Sequence, residues 1–378
     1  MRKPPAPAAP KAHTLTRRTV AVGLAAGLGT VALATGASGP VLAADEPLKV
    51  GFIYVGPVGD FGWSHQHDQG RQGVEEALGD AVETTYVESV PEGADAERVL
   101  TQLAASGHDL IFTTSFGFMN ATLKAARKFP NVKFEHATGY KRADNVSTYA
   151  ARFYEGRYVI GVIAGHMTKS NTIGYIASVP IPEVVRGVNA FTQGLRSVNP
   201  DATVKVIWVN SWYDPGKERE AAETLVAQGA DVLTQHTDSP APVQVAEEKG
   251  IYAFGQASDM TQFGPDAHLT AIVDDWRGYY VERTKAVMDG TWESTDTWGG
   301  LASGMVAISD YNPAMPPEVV EAAEAARAAI ESGELHPLAG PLRDQTGQVL
   351  IADGEAPDDG ALLSMDWFVE GVQGQVPK

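Results

Sequence analysis

Cysteine is absent from all 378 residues. That excludes disulfides, zinc–thiolate sites, thiol nucleophiles and a lipid-modified N-terminal cysteine. Positive charge is scarce beside negative: 29 Lys and Arg stand against 47 Asp and Glu, a formal charge of −18. The first 44 residues hold five basic side chains (Arg2, Lys3, Lys11, Arg17 and Arg18) and no acid, so the remainder is more acidic still. A body of that sign repels phosphate backbones, so neither nucleic acid nor an anionic membrane surface is an expected partner. No run after residue 44 is apolar enough to span a bilayer, and no tandem repeat is visible. What remains is a globular composition, 44% apolar and 20% charged, in a chain long enough for two domains of ordinary size.

Residues 1–44 read as an address. A Pro- and Ala-rich basic stretch ends in Thr16-Arg17-Arg18-Thr19-Val20, an apolar Gly- and Ala-rich run follows, and small residues lead to Ala43-Ala44. This is the layout of a cleaved export signal, and adjacent arginines before a weakly apolar run suggest twin-arginine export. Gly23, Gly27, Gly29 and Thr30 interrupt the run, which argues against a membrane anchor.

The rest reads as two consecutive α/β series. Apolar runs near 48–55, 81–87, 109–114, 132–136 and 147–152 alternate with helical patterns, and the pattern restarts at 154. Alternation of this kind predicts parallel sheets covered on both faces. An amphipathic Ala/Glu helix is expected at 316–331, followed by a Gly/Pro/Asp-rich tail with extended pieces at 349–352 and 367–369. Open parallel sheets bind ligands beyond the carboxyl ends of their strands. Candidate chemistry is therefore sought in the loops after strands.

The first such loop runs Gly56-Pro57-Val58-Gly59-Asp60-Phe61-Gly62-Trp63-Ser64-His65-Gln66-His67-Asp68. Its glycines match neither the P-loop nor the dinucleotide spacing. Phe61 and Trp63 stand where a helix entrance usually carries small polar caps. A cleft-facing aromatic offers a flat surface for a planar ligand; alternatively Trp63 is a lid over the sheet edge. Trp212, in Asn210-Ser211-Trp212-Tyr213-Asp214, occupies the matching place in the second series, which favours a stacking pair. His65 and His67 lie two apart, off one helical face, and do not make a metal site. Asp60, Glu183, Asp238, Asp259 and Asp274 could serve as acid/base groups, ligand acceptors or helix caps. No catalytic set assembles from them, and no cofactor or metal is expected.

These residues resemble the Bmp (basic membrane protein) family of substrate-binding proteins for ABC importers, over roughly residues 49–374. The carrying segments are Asp60 through Gly70, Leu110 through Met119, Phe153-Tyr154-Glu155-Gly156-Arg157-Tyr158, and Ile173-Gly174-Tyr175-Ile176 through Gly194. Asn210–Asp214 and Gln228-Gly229-Ala230-Asp231-Val232 add to them. The resemblance implies an α/β fold of the type I periplasmic binding kind: two Rossmann-like lobes joined by three crossovers around a hinged cleft. Lobe 1 is expected at 48–152 with a return segment near 275–296, lobe 2 at 153–274 with 303–310, and a C-terminal helix and tail at 311–378.

By the same resemblance the family's two purine-stacking phenylalanines fall on Trp63 and Trp212. The position of its ribose-binding aspartate falls on Ala257, and a lysine falls near Asp274. A purine-type ligand is therefore expected, with a free base such as adenine ahead of its nucleoside. Ligand contacts are expected from Trp63, Trp212, Phe61, Asp60, Ser64, Phe116, Asp238 and Asp259. The implied partners are an ABC permease and its ATPase, and the implied state is a free periplasmic monomer. A hydrolase would need a poised carboxylate cluster, and a signalling receptor would need a membrane span.

Overall fold

Strand β1 (Leu48–Ile53) is buried over its last four residues, as a central parallel strand with both faces covered must be. In the computed structural model, which describes residues 46–378, it opens the first α/β series. Helix α1 (Gly62–Leu78), β2 (Val82–Val87), α2 (Ala94–Ala105), β3 (Leu110–Thr113), α3 (Met119–Lys128), β4 (Lys133–Ala137) and β5 (Val146–Ala151) complete it. The second series is α4 (Phe153–Met167), β6 (Thr172–Ala177), α5 (Pro182–Val198), β7 (Thr203–Trp208), α6 (Pro215–Ala227), β8 (Val232–Gln235), α7 (Ala241–Lys249), β9 (Tyr252–Gly255) and β10 (His268–Asp274). The export-signal reading of residues 1–44 lies outside the described residues.

Helix α8 (Arg277–Met288) then packs on α1, and β11 (Asp296–Gly299) pairs in parallel with β5. The chain returns once more, and β12 (Val306–Ile308) pairs antiparallel with β10. The result is a six-stranded sheet, β11-β5-β4-β3-β1-β2, and a seven-stranded sheet, β12-β10-β9-β8-β6-β7 with the C-terminal strand Val372–Gln373 (β15) beside β7. The chain passes between the sheets after β5, β10 and β11. Those connections are hydrogen-bonded to one another, Arg152 N–H to Gly299 O (2.6 Å) and Asp275 N–H to Met305 O (3.2 Å). Two α/β lobes joined by three crossovers is the architecture that the resemblance implied.

Helix α9 (Pro317–Glu331) packs on α4. After it come the hairpin β13 (Leu342–Arg343) and β14 (Val349–Ile351), the short α10 (Asp359–Leu363), and β15 (Val372–Gln373), which lies parallel to β7 at the sheet edge. The extended piece expected at 367–369 is not a strand. Phe368 and Val369 are buried, Phe368 stacked on Trp208 at 6.2 Å and Val369 in an isolated antiparallel bridge to Asp344, and the ladder to β7 forms only from Val372.

Helices α4 and α5 approach closely because each is bare at the crossing. A Cβ on Gly161 would lie 2.2 Å from Phe191 O, and one on Gly194 would lie 2.0 Å from Tyr158 O. The returning segment is anchored differently. Glu135, fully buried on β4, accepts hydrogen bonds from Arg283 Nε (2.6 Å), Tyr279 OH (2.6 Å) and Trp292 Nε1 (2.7 Å). All three donors belong to α8 or the loop that follows it. Glu135→Ala should therefore leave Arg283 buried and unpaired, lowering stability in urea unfolding by about 3–5 kcal/mol. A loss below about 1 kcal/mol would mean that the return segment is held by packing alone.

Candidate functional site

A cavity of about 600 Å³ is lined by residues that follow strand after strand. Val55–Pro57 follow β1, Ser89 follows β2, Ser115 and Phe116 follow β3, and Thr138 follows β4. Asn210–Tyr213 follow β7, His236–Asp238 follow β8, and Gln256 follows β9. The cavity thus sits between the carboxyl ends of the two sheets, where this topology places ligands. Three of the lining residues, Ser89, Thr138 and Asn210, carry positive φ of 52–59°. So does Ala257 (φ 59°), next to the lining Gln256. Such backbone is uncommon outside glycine, and it gathers here at the turns around the cavity.

Trp63 and Trp212 both line the cavity, one from each lobe. Trp63 is firmly held. Its Nε1 donates to Thr114 O (2.6 Å), and its ring meets Trp276, His67 and Phe153 edge-on at 5.6, 4.4 and 5.8 Å. Trp212 stands on the loop after β7, half-buried, with its ring 6.4 Å from that of His236. Phe116 also lines the cavity.

Asp238 lines it too, and joins the two tryptophan segments. Its N–H donates to Trp212 O (3.0 Å), and its carboxylate accepts from Trp63 N–H (2.5 Å). The N-cap of α1 is Phe61, which supplies no side-chain cap. Lobe 2 supplies one instead: Gly62 N–H donates to Ser258 Oγ (2.6 Å), and Asp238 takes Trp63 N–H. Gly62 makes room for this. At φ 81° it has no Cβ, and one would lie 2.3 Å from Asp238 Oδ1. Phe61 completes the bridge, edge-on to Phe263 of lobe 2 at 5.0 Å.

The remaining expected contacts fall elsewhere. Asp60 is exposed, and Phe61 makes the interlobe contact just described. Ser64 is buried and accepts from Gly56 N–H (3.2 Å). Asp259 is exposed and accepts from Thr261 N–H (2.7 Å). None of these four lines the cavity, whereas Trp63, Trp212, Phe116 and Asp238 do. Ala257 is fully buried and does not line it; its neighbour Gln256 does. His65 contacts Gly59 O, while His67 is buried against Trp276. Among the described residues no cluster of three or more His, Asp or Glu could hold a metal.

At the floor of the cavity, sequence reasoning named Glu183 and Asp274 as possible acceptors but missed Arg157, His236 and Gln256. Arg157 is fully buried in α4 and donates to Gln256 Oε1 and to Thr234 Oγ1 (3.3 Å). Glu183, in the first turn of α5, and His236 line the cavity and are nearly buried, their nearest polar atoms 3.6 Å apart. Burial pushes the His236 imidazole below its usual range, with Arg157 adding to the effect and Glu183 opposing it. Burial likewise pushes the Asp274 carboxyl well above its usual range, which Arg157 only partly offsets. The available signal was Arg157 itself, the one Lys or Arg in the mostly apolar stretch Phe153–Met167.

Residues 48–335 match the Bmp family, described as ABC transporter substrate-binding protein PnrA-like. The chain is 58% identical over 335 residues to a protein named as purine-binding from Brucella abortus, covering 89% of this chain and 95% of that one. It is 41% identical over 332 residues to a protein of Haloferax volcanii named for ABC-transporter glucose binding, covering 88% and 82%. Among solved structures, a solute-binding protein of an ABC transporter system from Aeropyrum pernix superposes with a TM-score of 0.66 at 20% identity, over 84% of this chain and 95% of that one. One from Conexibacter woesei gives 0.62 at 21%, over 76% and 98%. These structures share the fold.

Asp238 makes closure sensitive to pH. Burial, with Glu218 adding to it, raises its carboxyl from the usual 3.8 to about 7, against the opposing hydrogen bonds from Trp63 and Ser64. With the lobes apart the group would be solvated and ordinary. Between about pH 4 and 7 the closed form therefore holds a proton that the open form has released, so closure weakens as pH rises through that window. The closed fraction, read by small-angle scattering, should fall from pH 5 to 8 by at most about tenfold per unit. Asp238→Asn should flatten the dependence. A rising closed fraction, or the same slope in the variant, would reject the assignment.

Proposed function

The chain belongs to the Bmp family of ABC-transporter substrate-binding proteins, and on that premise we propose that it captures a purine between its lobes, with a free base such as adenine preferred to the nucleoside. As a family of receptors, these proteins bind a small molecule for a permease and ATPase and perform no chemistry on it.

The observation that carries the reading is the pair of indoles, Trp63 and Trp212, presented to one cavity from opposite lobes. Stacking of a base on an aromatic ring contributes about 1–3 kcal/mol per ring. Because each ring belongs to a different lobe, only a closed cleft offers both, which couples capture to hinge closure. The similarity to a purine-binding protein of Brucella abortus supports the ligand class.

The polar groups then narrow it. Glu92, Glu183 and Asp238 all reach the cavity, and Arg157 beneath it is already engaged by Gln256 and Thr234. A phosphorylated ligand would meet carboxylates without a free cation, so an uncharged heterocycle is favoured over a nucleotide. About 600 Å³ is ample for a bare base, and volume alone does not select it over a nucleoside. The preference rests on the family resemblance, which puts the ribose-binding aspartate at Ala257, a buried position with no acceptor that does not itself line the cavity.

In this reading the N-terminal segment directs export by the twin-arginine route, and the mature chain works as a free monomeric receptor in the periplasm. A second reading, a monosaccharide, draws on the Haloferax volcanii relative, because indole faces also accommodate the C–H faces of sugars.

Calorimetry with adenine, adenosine and glucose separates these readings. Adenine should bind at least as tightly as adenosine, and glucose not measurably. Adenosine binding tenfold more tightly would overturn the base preference, and glucose binding alone would overturn the ligand class. Trp212→Ala should weaken adenine by about 10- to 100-fold. Unchanged affinity in a folded variant would remove the stacking pair.

A further inference from the structure

The floor of the cavity contains two polar side chains whose hydrogen-bonding roles are set by their surroundings. Gln256 is 6% exposed and lines the cavity. An amide can present either its oxygen or its nitrogen, but Arg157 has only donors. Arg157 Nη2 donates to Gln256 Oε1, so the amide oxygen faces α4. The amide nitrogen is left as the group turned from Arg157, and it makes no hydrogen bond among the described residues. Gln256 is thereby a donor toward the cavity.

Glu183 has the opposite character. It is 8% exposed, lines the same cavity, and makes no hydrogen bond among the described residues. His236 Nε2 at 3.6 Å and Arg186 Nη2 at 3.8 Å are both beyond hydrogen-bonding distance. A carboxylate so nearly buried is costly unless a donor meets it. Asp238 cannot take this part as freely, because its carboxylate is occupied by the α1 N-terminus.

We infer that Glu183 and Gln256 read the polar edge of the bound heterocycle, Glu183 accepting from an exocyclic amine and Gln256 donating to the ring nitrogen beside it. Arg157 is a positioning residue that holds the Gln256 amide in its donor orientation. The inference rests on the purine reading above and assigns that ligand's edge to particular side chains. An adenine edge, with its amino group flanked by ring nitrogens, offers the matching donor and acceptor. Purine itself, which lacks the amino group, keeps the ring faces and loses the donor.

The test compares adenine with purine by calorimetry on the full-length mature protein, in wild type and in the near-isosteric variants Glu183→Gln and Gln256→Glu. Wild type should favour adenine by about tenfold or more, as a hydrogen bond to a buried charge allows. In Glu183→Gln the amide oxygen can still accept but without the charge, so the preference should fall by about threefold to tenfold while purine affinity changes little. Gln256→Glu keeps a partner for Arg157 and removes the donor, so it should weaken both ligands. 1-Deazaadenine and 7-deazaadenine complete the set: one should bind wild type about tenfold less tightly than adenine, and lose that deficit in Gln256→Glu. An adenine preference unchanged in Glu183→Gln would overturn the inference and leave the purine reading standing. Equal binding of adenine and purine by wild type would do the same. Failure of wild type to bind any purine would overturn the purine reading itself.

Discussion

The carboxylate of Asp238 closes a circuit that neither lobe can close alone. The first N–H groups of a helix have no partners within it, and α1 begins with Phe61 where a Ser, Thr, Asp or Asn would usually supply one. Lobe 2 supplies it through Ser258 and Asp238, across the cleft. The same residue ties down the Trp212 loop through its backbone N–H. One residue thus links the Trp63 segment, the Trp212 loop and the contact between the lobes, alongside the Ser258 and Phe61–Phe263 contacts. Its desolvation opposes closure while the capping bonds favour it. Two terms of similar size and opposite sign suit a hinge that must open again, since closure held too strongly would not release its cargo.

The two ring faces are built to different tolerances. Trp63 is clamped by the hydrogen bond to Thr114 and by three aromatic neighbours, so little entropy remains to be lost when a ligand lies against it. Trp212 is carried on a loop whose Asn210 holds a positive φ of 52°, and its ring has fewer aromatic neighbours. A fixed face on one lobe and an adjustable one on the other lets the cleft close on a flat ligand without demanding an exact thickness.

Much of the fold was legible because parallel strands buried on both faces leave unbroken apolar runs, and Leu110–Thr113 is an example. The tail was not legible: β15 exists because β7 offers it a free edge, and no local pattern at Val372 announces that. Within the site, the tryptophans could be found because large aromatics at a helix entrance contradict local preference. Phe61 raised the same signal for a different reason, since it packs across the cleft on Phe263. Asp60 and Asp259 were plausible by position, yet their side chains point to solvent. Glu183, His236 and Gln256 carry no such local contradiction. Their meaning comes from Arg157, distant in sequence, and from the topology that brings α4 beneath the loops after β8 and β9.

On the proposed reading, an acidic protein whose cleft is lined by carboxylates has to restrict what enters. Asp274 and Asp238 are both pushed toward their neutral forms by burial, and Arg157 is the buried cation among them. Among the described residues no lysine or arginine lines the cavity, and Arg157 beneath it directs two of its donors to Gln256 and Thr234. A negatively charged ligand would therefore lose its hydration and gain no counter-charge. A neutral ring with N–H groups loses less water and meets acceptors already in place. On the proposed reading, selectivity would follow from this asymmetry: the walls would supply flat apolar area to any planar molecule, and the floor would decide which of them can leave water behind.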